Sequence, residues 1–358
     1  MKKFIKILLF SLSITPFITS CDSNDNSESW TFKDPYYAYI LNEGGYGKNN
    51  GSITGVTLYG ETVDNIYAKA NNKQLGDVAN DLIIGKNKAL YVAVSNSNYI
   101  AKLDLNGKEL ERYETTTKEE ENPRSLLIVG ADLYVTCSGG IVARFDTATL
   151  TKKGELKVGS YPEELAAIGT KIAVCNSGYG YDNTLSIIDA NSFSLIKTVE
   201  LPHMNPQNIV VFDNKFYCNT TEYDENWNSV SHIVEVDASN FNTKVIGEGF
   251  YMLPVSKGII VDKQTTDYYS TPYKYTNEFY YYSGGKYEKT SDFDALKEKG
   301  VYGMNCDFQS GNLYFLLNKS EGAEPVNSDV YLWNGVNNTS FNAGGIYASK
   351  IIFMDINQ

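Results

Sequence analysis

The sequence contains very little histidine, with only two such residues in 358. Cysteine is also scarce, at five residues, and no CxxC pair occurs. Because zinc centres are built from closely spaced Cys and His ligands, this composition predicts no zinc or other imidazole-rich metal centre. Four cysteines are predicted to be buried free thiols: the first three occupy equivalent places in neighbouring repeats, which should be too far apart for a disulfide, and the fourth lies in a separate segment. They are Cys137, Cys175, Cys218 and Cys306.

Clusters of basic residues are missing as well. The chain has 31 Lys and Arg against 43 Asp and Glu, a formal charge of −12. This balance disfavours binding of nucleic acid or anionic membranes through a basic patch. The sequence also has no GxSxG, HExxH, P-loop or EF-hand pattern. We therefore expect a binding protein rather than an enzyme, with no required cofactor.

The first residues differ in character from the rest. Two lysines precede the apolar run IKILLFSLSITPFI, which is too short for a stable membrane span and predicts a signal peptide over residues 1–20. Ile18-Thr19-Ser20-Cys21 resembles the bacterial lipobox, which implies lipidation of Cys21 and anchoring in the outer membrane. The stretch from Asp22 to Ser29 is polar and acidic, and residues 21–31 are interpreted as a flexible tether. The folded domain is expected over residues 32–358.

The middle of the chain repeats. Four short apolar runs each end in an aspartate: Asp104, Asp146, Asp189 and Asp237, which lie 42, 43 and 48 residues apart. Another strand-like run precedes each of them. A period of 40 to 50 residues made of strands is typical of a β-propeller. The aspartates themselves are predicted to cap turns, because Asp readily accepts hydrogen bonds from nearby backbone N–H groups.

The repeat extends from Val78 to about residue 320 and gives six units. The ends of the chain supply a seventh: YYAYILNEGG, SITGVTLYG and ETVDNIYA are predicted to be the second, third and fourth strands of a blade, and IYASKIIFMDI its first strand. Pairing the two ends closes the ring and removes exposed sheet edges. The prediction is an all-β, seven-bladed β-propeller closed by its N- and C-terminal segments.

Segments of the repeat resemble a known family. LYVTCSGGIVARFDTATLTKKGELKVGSYPEELAAIGTKIAV is similar to the YVTN repeat of YncE-like propellers. YILNEGGYGKNNGSIT and QLGDVANDLIIGKNKALYVAVSNSNYI resemble a narrower group, the Bacteroides-type surface lipoproteins that include the cobalamin-binding (BtuG-type) propellers. The resemblance implies a protein on the extracellular side of the outer membrane. It would capture cobalamin or another corrinoid and deliver it to a TonB-dependent transporter.

Two other functions stay open. One is a glycan-binding surface protein of a polysaccharide-uptake system. The other is a lactonase-like hydrolase, whose metal would be held by carboxylates and amides of the central channel: Asp77, Asn80, Glu163 and Asn208.

The candidate site is placed where the repeats carry long loops in place of tight turns. Loops between second and third strands are long and variable at 44–51, 176–183, 219–232, 262–278 and 318–329, while the turns of the opposite face are short. Such loops suit ligand binding, and Tyr and Trp provide rigid, amphipathic contact surfaces. The loop candidates are Tyr46, Asn98, Tyr179, Tyr181, Tyr223, Trp227 and Tyr268, with Tyr269 and Tyr273 beside them. The candidates at the channel mouth are Arg124, Asn208, Tyr251 and Tyr302.

Overall fold

The computed structural model describes residues 33–223, 225 and 229–355. The predicted signal peptide, the tether with Cys21, and Trp227 lie outside these residues. Within the described part of the chain, no helix is both long and apolar enough to cross a membrane.

Seven antiparallel sheets of four strands make up the domain, which confirms the predicted all-β, seven-bladed propeller. Blade 1 contains β1 (Ala38–Asn42), β2 (Ser52–Val56) and β3 (Thr62–Val63), which helix α1 (Ile66–Asn71) follows. Blade 2 contains β4 (Ala79–Ile84), β5 (Leu90–Val94), β6 (Tyr99–Leu103) and β7 (Glu109–Glu114). Blade 3 contains β8 (Pro123–Val129), β9 (Asp132–Cys137), β10 (Ile141–Asp146) and β11 (Lys152–Lys157). Blade 4 contains β12 (Pro162–Ile168), β13 (Lys171–Asn176), β14 (Thr184–Asp189) and β15 (Ser194–Glu200), with a 3₁₀ turn at Gly178–Gly180.

The remaining blades follow the same plan. Blade 5 contains β16 (Pro206–Phe212), β17 (Lys215–Tyr223), β18 (Ser229–Asp237) and β19 (Thr243–Glu248). Blade 6 contains β20 (Tyr251–Val255), β21 (Gly258–Asp267), β22 (Lys274–Ser283) and β23 (Lys286–Thr290), which a 3₁₀ turn at Asp294–Leu296 follows. Blade 7 contains β24 (Gly300–Asp307), β25 (Asn312–Glu321), β26 (Glu324–Trp333) and β27 (Thr339–Asn342). The last strand, β28 (Ala348–Phe353), returns to blade 1.

The ring closes as predicted. β28 pairs antiparallel with β1, in a register that places Tyr39 opposite Ile352, and it becomes the innermost strand of blade 1. The innermost strands contact one another in the order β28, β4, β8, β12, β16, β20, β24 and back to β28. The first and last described strands therefore share one sheet, and that sheet completes the circle.

The core lies between the blades. In β5, the side chains of Leu90, Val92 and Val94 pack towards blade 1, and those of Tyr91 and Ala93 pack towards blade 3. Each middle strand is thus buried on both faces, which explains why these segments are apolar without alternation. Burial of this apolar surface is the main source of stability.

The repeat aspartates cap turns, as predicted. Asp104 Oδ1 accepts from the N–H of Asn106 at 2.9 Å, and Asp146 Oδ1 accepts from the N–H of Ala148 at 2.9 Å. Asp189 and Asp237 accept equivalent bonds at 2.8 Å, from Ser192 and Ser239 respectively. Hydrogen bonding from Lys153, followed by bonds from backbone N–H groups, holds the pKa of Asp146 down at about 2.

The fourth strand of blade 1 is shorter than the sequence suggested. Only Thr62–Val63 of the predicted strand ETVDNIYA pairs with β2, and the chain then turns into α1. The side chain of Asn65 caps this helix by accepting from the N–H of Ala68 at 3.2 Å. Helix formation lets Ile66 and Tyr67 pack into the core between blades 1 and 2, which an outer strand could not achieve.

Three predicted loops are mostly strand. Blades 5, 6 and 7 carry long hairpins, β17–β18, β21–β22 and β25–β26, where loops were expected at 219–232, 262–278 and 318–329. The extra pairs include Thr265 opposite Thr276 and Thr221 opposite Ser231. Cross-strand Thr and Ser pairs stabilise such extensions. We call the side of the ring that carries the connections between second and third strands the hairpin face.

The described cysteines are buried and free, as predicted. The expectation that repeat-equivalent cysteines lie far apart is wrong for one pair: Cys175 and Cys218 share one core cluster between blades 4 and 5, and their thiols interact. Burial, together with the Cys218 thiol, raises the pKa of Cys175. The Cys175 thiol is therefore protonated at neutral pH, and both cysteines pack as buried groups of the core.

Candidate functional site

The centre of the ring encloses a cavity of about 720 Å³. Its wall is made by the first residues of the seven innermost strands, because all of these strands start at the hairpin face. The wall includes six residues that the sequence analysis placed in the channel, together with Gln207: Asn80, Arg124, Glu163, Asn208, Tyr251 and Tyr302. The structure thus brings six of the channel candidates together, whereas the seventh, Asp77, does not line the cavity.

Side-chain bonds link successive innermost strands around this channel. Lys350 of β28 pairs with Asp81 of β4 at 2.5 Å, and the second oxygen of Asp81 accepts from the N–H of Leu126 in β8 at 2.7 Å. Arg124 binds Glu163 Oε2 of β12 through Nη2 at 2.5 Å and Nε at 2.8 Å. The only arginine of the wall is therefore engaged by a carboxylate, and a ligand anion would have to compete with it.

Two further carboxyls of the channel lie where their ionised form is disfavoured. Burial is the largest effect on Glu43 and Glu164, and it raises the pKa of each to about 7. Other contacts lower each pKa in part. The Tyr302 hydroxyl donates a hydrogen bond to Glu43 at 3.0 Å. For Glu164, the positive charge of Lys350 and a hydrogen bond from the Ile209 N–H at 3.0 Å act in the same direction. Near neutral pH each group exchanges a proton, so the charge of the channel depends on pH.

The free energy of unfolding is expected to fall as the pH rises from about 4.5 to about 7. The pKa of the Glu164 carboxyl is about 7 in the folded protein and near 4.5 in the unfolded chain, so between these two pH values the folded state binds more protons. Above pH 7 the carboxyl is ionised in both states, and the folded state is destabilised because the charge is buried there. Glu164→Gln should therefore raise the free energy of unfolding at pH 8 by about 1–3 kcal/mol, because the channel is open to solvent and part of the burial cost is screened. At pH 4 the variant and the wild type should be alike. Urea unfolding at both pH values checks this.

A matched control is Glu111→Gln, since Glu111 is exposed on β7. It should change stability by less than about 0.5 kcal/mol at either pH. An equal effect of Glu164→Gln at pH 4 and pH 8 would contradict the assignment of a raised pKa to Glu164.

A set of exposed tyrosines stands on the hairpin face outside the cavity. Tyr181 and Tyr269 are the extreme cases, with 90% and 99% of their surface exposed. The others that sequence analysis selected are also exposed: Tyr46, Tyr179, Tyr223, Tyr268 and Tyr273. Ring contacts join Tyr268 to Tyr273, with centroids 5.4 Å apart, and Tyr179 to Tyr161, with centroids 5.3 Å apart. We call Tyr46, Tyr179, Tyr181, Tyr223, Tyr268, Tyr269 and Tyr273 the tyrosine rim.

Comparison with known proteins places the chain in a family. The family model for a domain of unknown function, DUF5074, matches residues 36–249, more than half of the chain. The chain belongs to the DUF5074 family. The DUF5074 match begins just before β1 and ends just after β19, so it covers blades 2 to 5 and three strands of blade 1. No curated protein matches the sequence.

Solved structures similar to this DUF5074 chain share its fold at low sequence identity. A chain of the mitotic checkpoint complex is 12% identical, with a TM-score of 0.54 and coverage of 86% of this chain and 96% of that one. The WD40 β-propeller domain of Doa1 is 10% identical, with a TM-score of 0.53 over 79% and 86%. The computationally designed Ika8 protein is 10% identical, with a TM-score of 0.52 over 88% and 90%. These likenesses show a propeller and carry no information on ligand.

Two residues singled out in the sequence have structural partners. The side chain of Asn98 accepts from the N–H of Asn122 at 2.8 Å and so ties the β5–β6 turn to the connection between blades 2 and 3. Asp77 does not line the cavity; its carboxylate accepts from the N–H of Gly47 at 2.9 Å and from the side chain of Asn96. Of the four residues named for the lactonase alternative, Asn80, Glu163 and Asn208 line the cavity of this DUF5074 protein, and Asp77 lies outside it.

The expectation of no imidazole-rich metal centre rested on the scarcity of histidine, and it did not foresee that the two histidines lie side by side. The two histidines, His203 and His232, meet beside Glu222 on blade 5. They lie 29 residues apart in the chain, without the short spacing of a metal motif. The signal that could have found them is structural: His232 lies opposite Thr220 in the β17–β18 ladder, so His232 and Glu222 share a face of that hairpin.

Proposed function

We propose that this protein is a lipid-anchored surface protein that captures a small, partly polar ligand on the hairpin face of its propeller. The observation that carries the proposal is the tyrosine rim, which stands on the same face as the mouth of the central cavity. A group of exposed aromatic side chains on one face is typical of an interaction surface, and tyrosines offer flat contact surfaces with a polar edge. The volume of the cavity, about 720 Å³, lies in the range of small-molecule sites.

A corrinoid such as cobalamin is the ligand we favour, on the resemblance to cobalamin-binding surface propellers. A corrin ring is flat and carries amide arms. Tyrosines suit its flat faces, and the amides of Asn80, Gln207 and Asn208 in the channel wall suit the arms. The pairing of Arg124 with Glu163 favours a ligand without strong negative charge over an anion.

Delivery to a TonB-dependent transporter is the second part of the proposal. Lipidation at Cys21 and a tether over residues 21–31 would hold the propeller next to the outer membrane on its extracellular side. A tether of this length keeps the local concentration of the domain high near a membrane partner. The bound ligand would then be passed on without release into the medium.

The class of ligand can be tested by mixing the purified protein with cyanocobalamin. We expect the two to elute together in gel filtration and the visible absorption of the corrin ring to shift. Elution of the cyanocobalamin entirely as free ligand would contradict the corrinoid assignment. Retardation in a native gel that contains a polysaccharide would support the glycan-binding alternative, for which the exposed Tyr223 on β17 is the first residue to mutate.

A further inference from the structure

We propose that His203, Glu222 and His232 form a binding site for a divalent transition metal ion such as Zn²⁺. One ligand atom from each of the three residues lies within 4.8 Å of those of the other two. The imidazole rings are stacked, with centroids 3.9 Å apart and planes 13° apart, and His203 Nδ1 lies 3.3 Å from Glu222 Oε2. Among the described residues no other such group of His, Cys, Asp and Glu occurs.

The three donors have the chemistry of an open transition-metal site. Two imidazoles and one carboxylate are a ligand set that Zn²⁺, Co²⁺ and Ni²⁺ accept, whereas Ca²⁺ and Mg²⁺ prefer oxygen donors throughout. In a tetrahedral centre with bonds of about 2.0–2.1 Å, ligand atoms stand roughly 3.4 Å apart. Because the ligand atoms now lie up to 4.8 Å apart and the imidazole planes are nearly parallel, binding requires the two rings to rotate out of their stack so that one nitrogen of each points at the ion. The side chains of His203 and Glu222 are partly exposed, which leaves room for this rotation.

The backbone holds the three residues in place from separate segments. Glu222 and His232 project from the same face of the β17–β18 hairpin. His203 comes from the connection between blades 4 and 5, which is fixed to β17 because the Thr221 N–H donates to Met204 O at 3.0 Å. The Met204 N–H in turn donates to Glu222 Oε1 at 3.3 Å. This bond leaves Glu222 Oε2, the oxygen next to His203, for the metal, and it orients the carboxylate as outer contacts do in metal sites.

The site faces solvent, so a bound metal would keep open coordination positions. Side-chain exposure is 26% for His203 and 42% for Glu222. Three protein ligands with an open position are typical of zinc sites that also bind water or a second molecule. The location at the end of β17 puts this position on the hairpin face, where a donor atom from a ligand or partner can reach it.

The test is titration of the tag-free purified protein with Zn²⁺ by calorimetry. Because the chain contains two histidines in all, no other imidazole contributes to the signal. We expect one Zn²⁺ per chain, binding at least about tenfold weaker in His203→Ala and in His232→Ala, and a smaller loss in Glu222→Gln. Glu225→Gln, an exposed carboxylate at the tip of the same hairpin, is the matched control and should bind as the wild type does.

A second measurement, thermal melting, distinguishes the loss of metal binding from misfolding of a variant. Zn²⁺ should raise the melting temperature of the wild type and leave that of the doubly substituted His203→Ala, His232→Ala protein unchanged, because only a folded site can be stabilised by its ligand. Absence of Zn²⁺ binding by the wild type, or equal binding by the doubly substituted protein, would overturn the proposal. Cyanocobalamin binding can fail in the same protein without affecting this result, since the channel and the histidine site are separate.

Discussion

Deletion of residues 348–358 is expected to abolish the soluble folded protein. The deletion removes β28, the innermost strand of blade 1 and the strand that joins β24 to β4. Buried Ala348, Ile351 and Met354 leave the core, and β1 is left with an unpaired edge. With about 2–5 kcal/mol for each large side chain, the loss is on the order of 10 kcal/mol, comparable to the whole stability of a domain.

The deletion also removes Lys350, so the buried carboxylate of Asp81 loses its ion-pair partner and keeps only its other hydrogen bonds. Soluble yield, circular dichroism and thermal melting measure the outcome. Removal of the last three residues, 356–358, is the control and should leave all three unchanged. A synthetic peptide of residues 346–355 should restore folding in part. A truncated protein that melts cooperatively at the wild-type temperature would show that the ring does not depend on closure.

Replacing four rim tyrosines together should remove ligand binding while the fold stays intact. The variant carries Ser at Tyr179, Tyr181, Tyr268 and Tyr269, all highly exposed. If each ring contributes about 1 kcal/mol of contact, cyanocobalamin should bind at least about a hundredfold more weakly. Since these side chains bury little surface, the melting temperature should change by no more than a few degrees. Equilibrium dialysis gives the affinity.

The control for this experiment is Tyr59→Ser. Tyr59 is equally exposed, at 83%, but it lies in the turn between β2 and β3, on the opposite side of the ring. Cyanocobalamin should bind this variant and the wild type alike. If Tyr59→Ser weakened binding as much as the fourfold substitution, the hairpin face could not be the site.

The architecture could be predicted because each blade must bury its own middle strands. This requirement repeats the same apolar pattern and the same capping aspartate at Asp104, Asp146, Asp189 and Asp237, so period and blade number follow from spacing. Closure was predictable for a related reason. The orphan strand around Ile351 and the incomplete blade at Ala38–Asn42 each needed a partner, and no other segment offered one.

Other features depend on contacts between distant residues and could not be read from spacing. Helix α1 forms because the core between blades 1 and 2 accommodates Ile66 and Tyr67, which local preference does not show. The hairpin extensions of blades 5 to 7 contain polar residues on strands, which resemble loops until their cross-strand partners are known. The engagement of Arg124 by Glu163 and the meeting of His203 with His232 likewise arise only when neighbouring blades pack.

Footprinting of tyrosines tests the central claim, ligand capture on the hairpin face, most directly. The protein is nitrated with tetranitromethane with and without saturating cyanocobalamin, and each modified tyrosine is quantified by mass spectrometry. We predict that the ligand protects Tyr179, Tyr181, Tyr268 and Tyr269 and leaves the modification of Tyr59 unchanged. Equal modification of all five tyrosines with and without ligand, or protection of Tyr59 alone, would contradict the account.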